Sequence, residues 1–266
     1  RQSLVWKDTE SLFTNVLAYY PRSHIAHNNL GNAYRRAGKL DLAILQFEAA
    51  LQDVPLEAQN NIANVYRDQG DLAGAEVALQ ASLRIRPQAK TLSNLGAVYS
   101  KQKLYDKAMA QYEQALQIDP HSKEAYLGLG LVYADQGNAE EAKKAYEQAI
   151  AIDVTYPEAH LNLGTLYEKL GSYEAAAKEF QTAMEYDSTL AQAPFNLAIV
   201  EEKLGDADKA RTFYKETIQI LPDFIPARIN LGILDAEEGR LDDAKMQFEA
   251  ILKIDPSNAA ARSALN

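Results

Sequence analysis

Six asparagines recur at one place in a periodic pattern: Asn29, Asn61, Asn94, Asn162, Asn196 and Asn230, with Gly128 standing where the fourth of seven would be. A side-chain amide presents one acceptor and two donors, so it can bond the N–H and the C=O of a peptide unit without reading the side chain that unit carries. Around the first of them the polar character widens. Asn28, Asn32, Arg35 and Arg36 come first, then Asn60, Asn64 and Arg67, then Lys90 and Lys101. A polar, partly basic set of this kind suits capture of polypeptide, acidic segments included.

Groups for bond-making chemistry are scarce. His24, His27, His121 and His160 are the four histidines, and they are the side chains whose ordinary titration lies near neutrality. His24 and His27 lie about one helical turn apart with no accompanying Glu at a zinc-protease spacing. His27 and His160 fall where a helix packs between neighbours, which reads as core or edge histidine. With no cysteine in the chain, thiolate nucleophiles, thiolate metal sites and disulfides are excluded. Acidic pairs such as Glu140-Glu141, Glu201-Glu202, Glu237-Glu238 and Asp242-Asp243 read as solvated charge, and no phosphate-cradling glycine loop or strand-borne nucleophile motif appears. The expectation is a binding protein without enzyme activity, metal or cofactor.

Charge narrows the partner. The net charge of −10 opposes general affinity for nucleic acid, whose binding rests on Lys and Arg neutralising phosphates. The distribution is uneven. Residues 1–40 hold six basic groups against two acids, a local +4, so the rest sums to −14. The longest apolar runs are broken by glycine and too short to span a bilayer.

What positions these side chains is a repeat. Aligned on Leu30-Gly31, Ile62-Ala63, Leu95-Gly96, Leu129-Gly130, Leu163-Gly164, Leu197-Ala198 and Leu231-Gly232, the copies are spaced 32, 33, 34, 34, 34 and 34 residues apart. Three residues after the Gly or Ala stand Tyr34, Tyr66, Tyr99, Tyr133 and Tyr167, then Glu201 and Asp235. Twelve residues after it stand Ala43, Ala75, Ala108, Ala142, Ala176, Ala210 and Ala244, and four further on Phe47, Leu79, Tyr112, Tyr146, Phe180, Tyr214 and Phe248. Within each copy the apolar groups recur at helical spacing over two segments split by a polar turn such as Arg36-Ala37-Gly38-Lys39. That is a helical hairpin, and the small residues are expected to let its two backbones cross closely. One hairpin cannot bury its own apolar face, so copies must stack.

The pattern of Leu-Gly, Tyr, Ala, an aromatic and a closing Pro (Pro55, Pro87, Pro120, Pro222, Pro256) resembles the tetratricopeptide repeat family through nearly the whole chain. Val154 and Ser188 depart from it at the closing position. The resemblance implies an all-α, right-handed superhelical solenoid of stacked antiparallel helix pairs over 1–266. Repeats are expected to start near 24, 56, 89, 123, 157, 191 and 225, with a partial repeat over 1–23 and a partial helix over 257–266. Phe13, Trp6 and Pro21 mark the partial repeat as a second helix. First helices are expected to line a concave groove and second helices the outside.

The implied function is a protein interaction scaffold holding an extended or helical peptide segment in that groove. With helices about 8–10 Å apart and an extended chain advancing about 3.3 Å per residue, one Asn per repeat meets roughly every third residue of a bound peptide. The arrangement resembles the asparagine ladder of O-linked N-acetylglucosamine transferase. Asn is also the family's commonest residue here, so consensus alone is the competing explanation. The basic face partly resembles the two-carboxylate clamp of family members that hold chaperone C-termini: Asn32, Asn61 and Lys90 match, whereas Asn28 replaces a Lys and Asn94 an Arg. Beyond it the groove turns apolar at Leu127, Leu131, Leu161, Phe195, Ile199, Ile229 and Ile233, suited to apolar side chains of a partner or to burial between hairpins. Self-association through the solenoid ends is a second expectation. The alternative is a recruiting arm of a membrane-embedded glycosyltransferase-like protein, because the opening through Leu12-Phe13 and Pro21 weakly resembles the junction into such repeats. A start at Arg1 reads as an excised fragment, so the compartment stays open between cytoplasmic and extracytoplasmic.

Overall fold

A computed structural model describes residues 9–265. Trp6 and the other expected features of residues 1–8, the glycosyltransferase-like opening among them, lie outside the described residues, as does Asn266. Among the described residues all regular structure is helical, in the order α1 (Thr9–Tyr19), α2 (His24–Arg36), α3 (Leu40–Ala50), α4 (Pro55–Asp68), α5 (Leu72–Ile85), α6 (Ala89–Lys101), α7 (Tyr105–Ile118), α8 (Lys123–Asp135), α9 (Ala139–Ile152), α10 (Pro157–Lys169), α11 (Tyr173–Tyr186), α12 (Gln192–Leu204), α13 (Ala207–Ile220), α14 (Ile225–Glu237), α15 (Leu241–Ile254) and α16 (Ala259–Leu265). None of them is long and apolar enough to cross a membrane.

The chain divides into two compact units, one ending at Val132 and the other beginning at Tyr133. In the N-terminal unit α2 pairs with α3, α4 with α5 and α6 with α7, each pair packs on the next, and the first helices α4 and α6 also touch directly. In the C-terminal unit α10 pairs with α11, α12 with α13 and α14 with α15, again stacked in order, with α10 touching α12. Local sequence explains the starts. Ser23, Asp71 and Asp206 cap their helices by accepting a backbone N–H in the first turn, and Pro55 and Pro157 take first-turn places where a missing N–H costs no intrahelical bond.

The alanine column is fully buried at Ala43, Ala75, Ala108, Ala142, Ala176 and Ala210. The glycine column answers to a different neighbour from the one expected. A Cβ on Gly31, Gly96 or Gly164 would meet a ring atom of Phe47, Tyr112 or Phe180 at 2.6–2.7 Å, and on Gly232 a ring atom of Phe248 at 2.9 Å. Glycine is therefore required by the aromatic side chain sixteen residues on, which lies flat on the first helix. Close crossing of two backbones is not what excludes the methyl group.

Each hairpin turn needs one left-handed residue. Gly38, Gly70, Gly137, Gly171, Gly205 and Gly239 supply it with φ between 71° and 84°, whereas Lys103 does so at φ 60°. A Cβ in that region costs roughly 1 kcal/mol. Lys103→Gly is thus expected to stabilise the protein by about 0.5–1 kcal/mol, read as a shift in the urea midpoint, and an unchanged or lower midpoint would contradict the strain argument.

Candidate functional site

The asparagine column sits on the first helix of each hairpin, one residue before the buried Leu or Ile, and its members are turned to different uses. Asn29 and Asn162 donate Nδ2 to the carbonyls one turn back, Ile25 at 2.8 Å and Glu158 at 2.7 Å. Asn94 donates to Asn60 Oδ1 at 3.2 Å, Asn196 to Thr165 Oγ1 at 3.5 Å and Asn230 to the Tyr214 hydroxyl at 3.2 Å. Asn61, half-exposed on α4, carries no hydrogen bond within the protein.

Asn60 explains the difference between Asn94 and Asn61. It is buried, and its Nδ2 lies within bonding distance of Leu56 O, Ser82 Oγ and Thr91 Oγ1 while its Oδ1 accepts from Asn94. Asn28 holds the same register one repeat earlier, but Ala50 and Ala58 stand where Ser82 and Thr91 would be. Its Oδ1 is buried with no hydrogen-bond partner, and Asn61, in the register of Asn94, does not close the pair. Asn61 is accordingly left to face outward with both amide functions unused.

The cations divide in the same way. Arg35 is bound by Asp68, Nε to Oδ2 at 2.5 Å, a contact between successive first helices α2 and α4. Arg36 and Lys90 are exposed, Asn32 and Asn64 half-exposed. Arg67 is half-buried at the end of α4, and burial, with Arg35 adding to it, holds its pKa below the ordinary guanidinium value despite the opposing pull of Asp68. Asn61, Asn64 and Arg67 follow one another at three-residue spacing, so the open amides and this cation share a stripe of α4. The expected polar site residues of the N-terminal unit are thus brought onto the first helices, with Arg35, Asn29 and Asn94 already engaged by the protein and Asn28 and Asn60 buried.

The C-terminal unit offers a different face. Phe195 packs with Tyr214 and Phe224, ring centroids 6.0 and 5.0 Å away, and is partly buried against the core cluster around Tyr214 and Leu231. Ile199 and Ile233, the latter 47% exposed, line a cleft of about 480 Å³ with Leu234, Asn230, Glu202 and Glu237. Among the described residues no group of three or more His, Asp or Glu is placed to hold a metal ion.

Two charged arrangements were not legible as such. Glu201 is 4% exposed and Asp235 1% exposed, so the reading of Glu201 as solvated charge is corrected: it occupies the buried tyrosine column and reaches Lys209 at 3.5 Å. Arg211, equally buried, donates Nε to Asp235 at 2.8 Å and Nη1 to Asp208 at 2.8 Å, and its Nη2 bonds Glu238, which is therefore not simply solvated either. Burial works against the Arg211 cation, but the bonds to Asp235 and Glu238 outweigh it and hold its pKa above the ordinary value.

Two of the four histidines act as clips. His27 places Nδ1 2.8 Å from Gln46 Oε1 and Nε2 3.0 Å from Pro21 O; His160 places Nδ1 2.6 Å from Glu179 Oε2 and Nε2 3.0 Å from Val154 O. Arg228 repeats the design with Pro222 O and Gln247. At His160 both ring nitrogens face acceptors, a pattern only the imidazolium satisfies. The Glu179 bond, opposed by burial and helped by Val154, raises its pKa above the ordinary 6.5. A group whose folded pKa is raised contributes stability that is complete below the unfolded value and vanishes as pH rises through the folded one. The melting temperature is therefore expected to fall from pH 5.5 towards alkaline pH by more in the wild type than in Glu179→Gln, which reproduces the neutral Gln46 partner; parallel profiles would remove the role assigned to the pair.

Comparison with known proteins follows the same geometry. The family model described as TPR repeat matches residues 130–171, and three described as tetratricopeptide repeat match 55–121, 99–145 with 201–266, and 8–58 with 161–223. No curated protein sequence matches the chain. Among solved structures, MamA is 29% identical over 61% of this chain and 95% of its own, with a TM-score of 0.56. YrrB, whose structure is titled "a TPR protein with an unusual peptide-binding site", is 25% identical over 66% of this chain and 91% of its own, with a TM-score of 0.54. The APC/C hetero-tetramer Cut9-Hcn1 aligns over 96% of this chain and 51% of the matched chain, with a TM-score of 0.71 at 17% identity, a likeness of fold alone. The recurring Leu-Gly, Ala and aromatic columns, the stacked hairpins they build and four repeat models that together run from residue 8 to residue 266 place this chain in the tetratricopeptide repeat family.

Proposed function

We propose that the chain is an interaction scaffold whose first-helix faces bind an extended segment of a partner protein, with asparagine amides gripping the partner's backbone. The observation that carries this is the open stripe of α4: Asn61 presents an amide with no internal partner, followed at one turn by Asn64. The likeness to YrrB, a protein described by its peptide-binding site, supports a peptide as the kind of partner. Each amide-to-backbone bond contributes about 0.5–1.5 kcal/mol, so affinity comes from several together.

The test is a pull-down from a random peptide library with the wild type and with Asn29→Ala/Asn61→Ala/Asn64→Ala. Loss of three such bonds is expected to weaken recovered peptides by roughly tenfold or more. Equal recovery of the same peptides by the variant would rule out the amide grip. Melting curves of the two proteins separate a binding loss from unfolding, because all three side chains lie at least partly in solvent.

A further inference from the structure

We infer that the segment taken by the first-helix face of the N-terminal unit is acidic, with one of its carboxylates seated at Arg67. The inference rests on the reading above and names the partner's chemistry. A guanidinium has five N–H donors and stays charged at neutral pH, so a half-buried one with no acceptor is an unfinished site. Arg67 is in that condition: the neighbouring Asp68 is held by Arg35 at 2.5 Å, and Arg67 makes neither a hydrogen bond nor an ion pair of its own. Burial first, and then Arg35, lower the pKa of Arg67 against the opposing pull of Asp68 and Tyr112, in keeping with a cation that lacks a bonded anion.

The surroundings favour an anion as well. With Arg35 and Asp68 neutralising each other, the exposed charge on the faces of α2, α4 and α6 is Arg36, Lys90 and Lys101 against Glu57, on a chain whose net charge is −10. Arg36, Arg67 and Lys101 all lie at the C-terminal ends of their helices, and α4 touches α6. A carboxylate there would form charge-assisted bonds with Arg67, while Asn64 and Asn61, about one and two turns back along α4, meet the backbone that carries it. A polypeptide fits better than a nucleic acid. The paired donor and acceptor of each amide match a peptide unit, and the chain's overall negative charge repels a polyphosphate.

The experiment uses the full chain and two labelled peptides of about twelve residues, long enough to cross three first helices: one alternating Glu and Ser, the other Gln and Ser. Fluorescence anisotropy is expected to give roughly tenfold tighter binding of the Glu peptide at low salt, the scale of one charge-assisted bond, shrinking as salt screens it. Arg67→Gln is expected to abolish most of that preference while leaving the Gln peptide unchanged. Asn61→Ala/Asn64→Ala is expected to weaken both peptides alike, and Lys245→Gln, in the other unit, to change neither. Equal binding of the two peptides, or a preference that survives Arg67→Gln, would overturn the inference and leave the amide grip standing. Binding of neither peptide would overturn both, and tighter binding of an oligothymidylate than of the Glu peptide would replace the acidic segment with nucleic acid.

Discussion

Asp235→Ala is expected to lower stability by about 3 kcal/mol, at the lower end of the range for breaking a buried ion pair from one side. The reason lies in what it strands. Arg211 and Asp235 are both at most 5% exposed and bonded at 2.8 Å across the packing of α13 on α14. Deleting the carboxylate leaves the guanidinium in place with only Asp208, itself 87% exposed, and Glu238. Those two acids moderate the loss but do not refill the space. Removing both charges is a different matter, because a buried pair replaced by well-packed side chains is often neutral or better. The chain contains the replacement already. In the same column Lys143 lies over the ring of Tyr167, 5.7 Å from its centroid, and the Tyr99 hydroxyl donates to Glu76 at 3.0 Å. Arg211→Lys/Asp235→Tyr is therefore expected to regain most of the stability lost by Asp235→Ala, measured by urea unfolding with amide exchange in α14 as the local probe. Wild-type stability of Asp235→Ala would show that the pair contributes nothing.

That column also shows where sequence reading stops. The hairpins, their order and the burial of the alanine column follow from periodicity, because a helix that repeats small and aromatic residues every 34 positions has few ways to hide them. The residue after each alanine and the tyrosine column of the next repeat lie in different copies of the pattern, and a register read within one copy does not pair them. Read across copies, Glu76 with Tyr99, Lys143 with Tyr167 and Arg211 with Asp235 were available as a signal that Glu201 and Asp235 had entered a buried column. The site was legible to a similar depth. Spacing placed the asparagines on first helices, yet whether an amide faces outward depends on its neighbour: Ser82 and Thr91 order Asn60 to receive Asn94, and Ala50 and Ala58 leave Asn28 and Asn61 apart. Arg35 and Arg67 hold the same place in the repeat, and what separates them is the bond of Arg35 to Asp68 on α4.

The break in the asparagine column has a steric cause, and Gly128→Asn is expected to cost about 1–3 kcal/mol, the usual range for overfilling a packed core, with the helix-propensity gain over glycine offsetting part of it. A Cβ at Gly128 would lie 2.2 Å from the Cζ of Tyr112, and one at Gly96 would lie 2.7 Å from the same ring. The ring is 3% exposed and lies against both glycines, so an added side chain at either must displace it. Tyrosine as such does not forbid the amide. Tyr146 stands between Gly130 and Asn162 in the following repeat, and Tyr214 coexists with Asn230, its hydroxyl accepting Nδ2 at 3.2 Å, where Ala198 replaces the first glycine. Leucine avoids the conflict altogether, as the set Ala63, Leu79 and Asn94 shows in the preceding repeat. Gly96→Ala/Tyr112→Leu/Gly128→Asn transplants that set, and it is expected to recover most of the stability that Gly128→Asn loses alone, read from urea midpoints of the full chain. If the triple variant is no more stable than the single one, something other than the Tyr112 ring keeps asparagine from this position. If it recovers and also binds extended peptides more tightly than the wild type, the gap at Gly128 is a packing concession within an otherwise continuous grip.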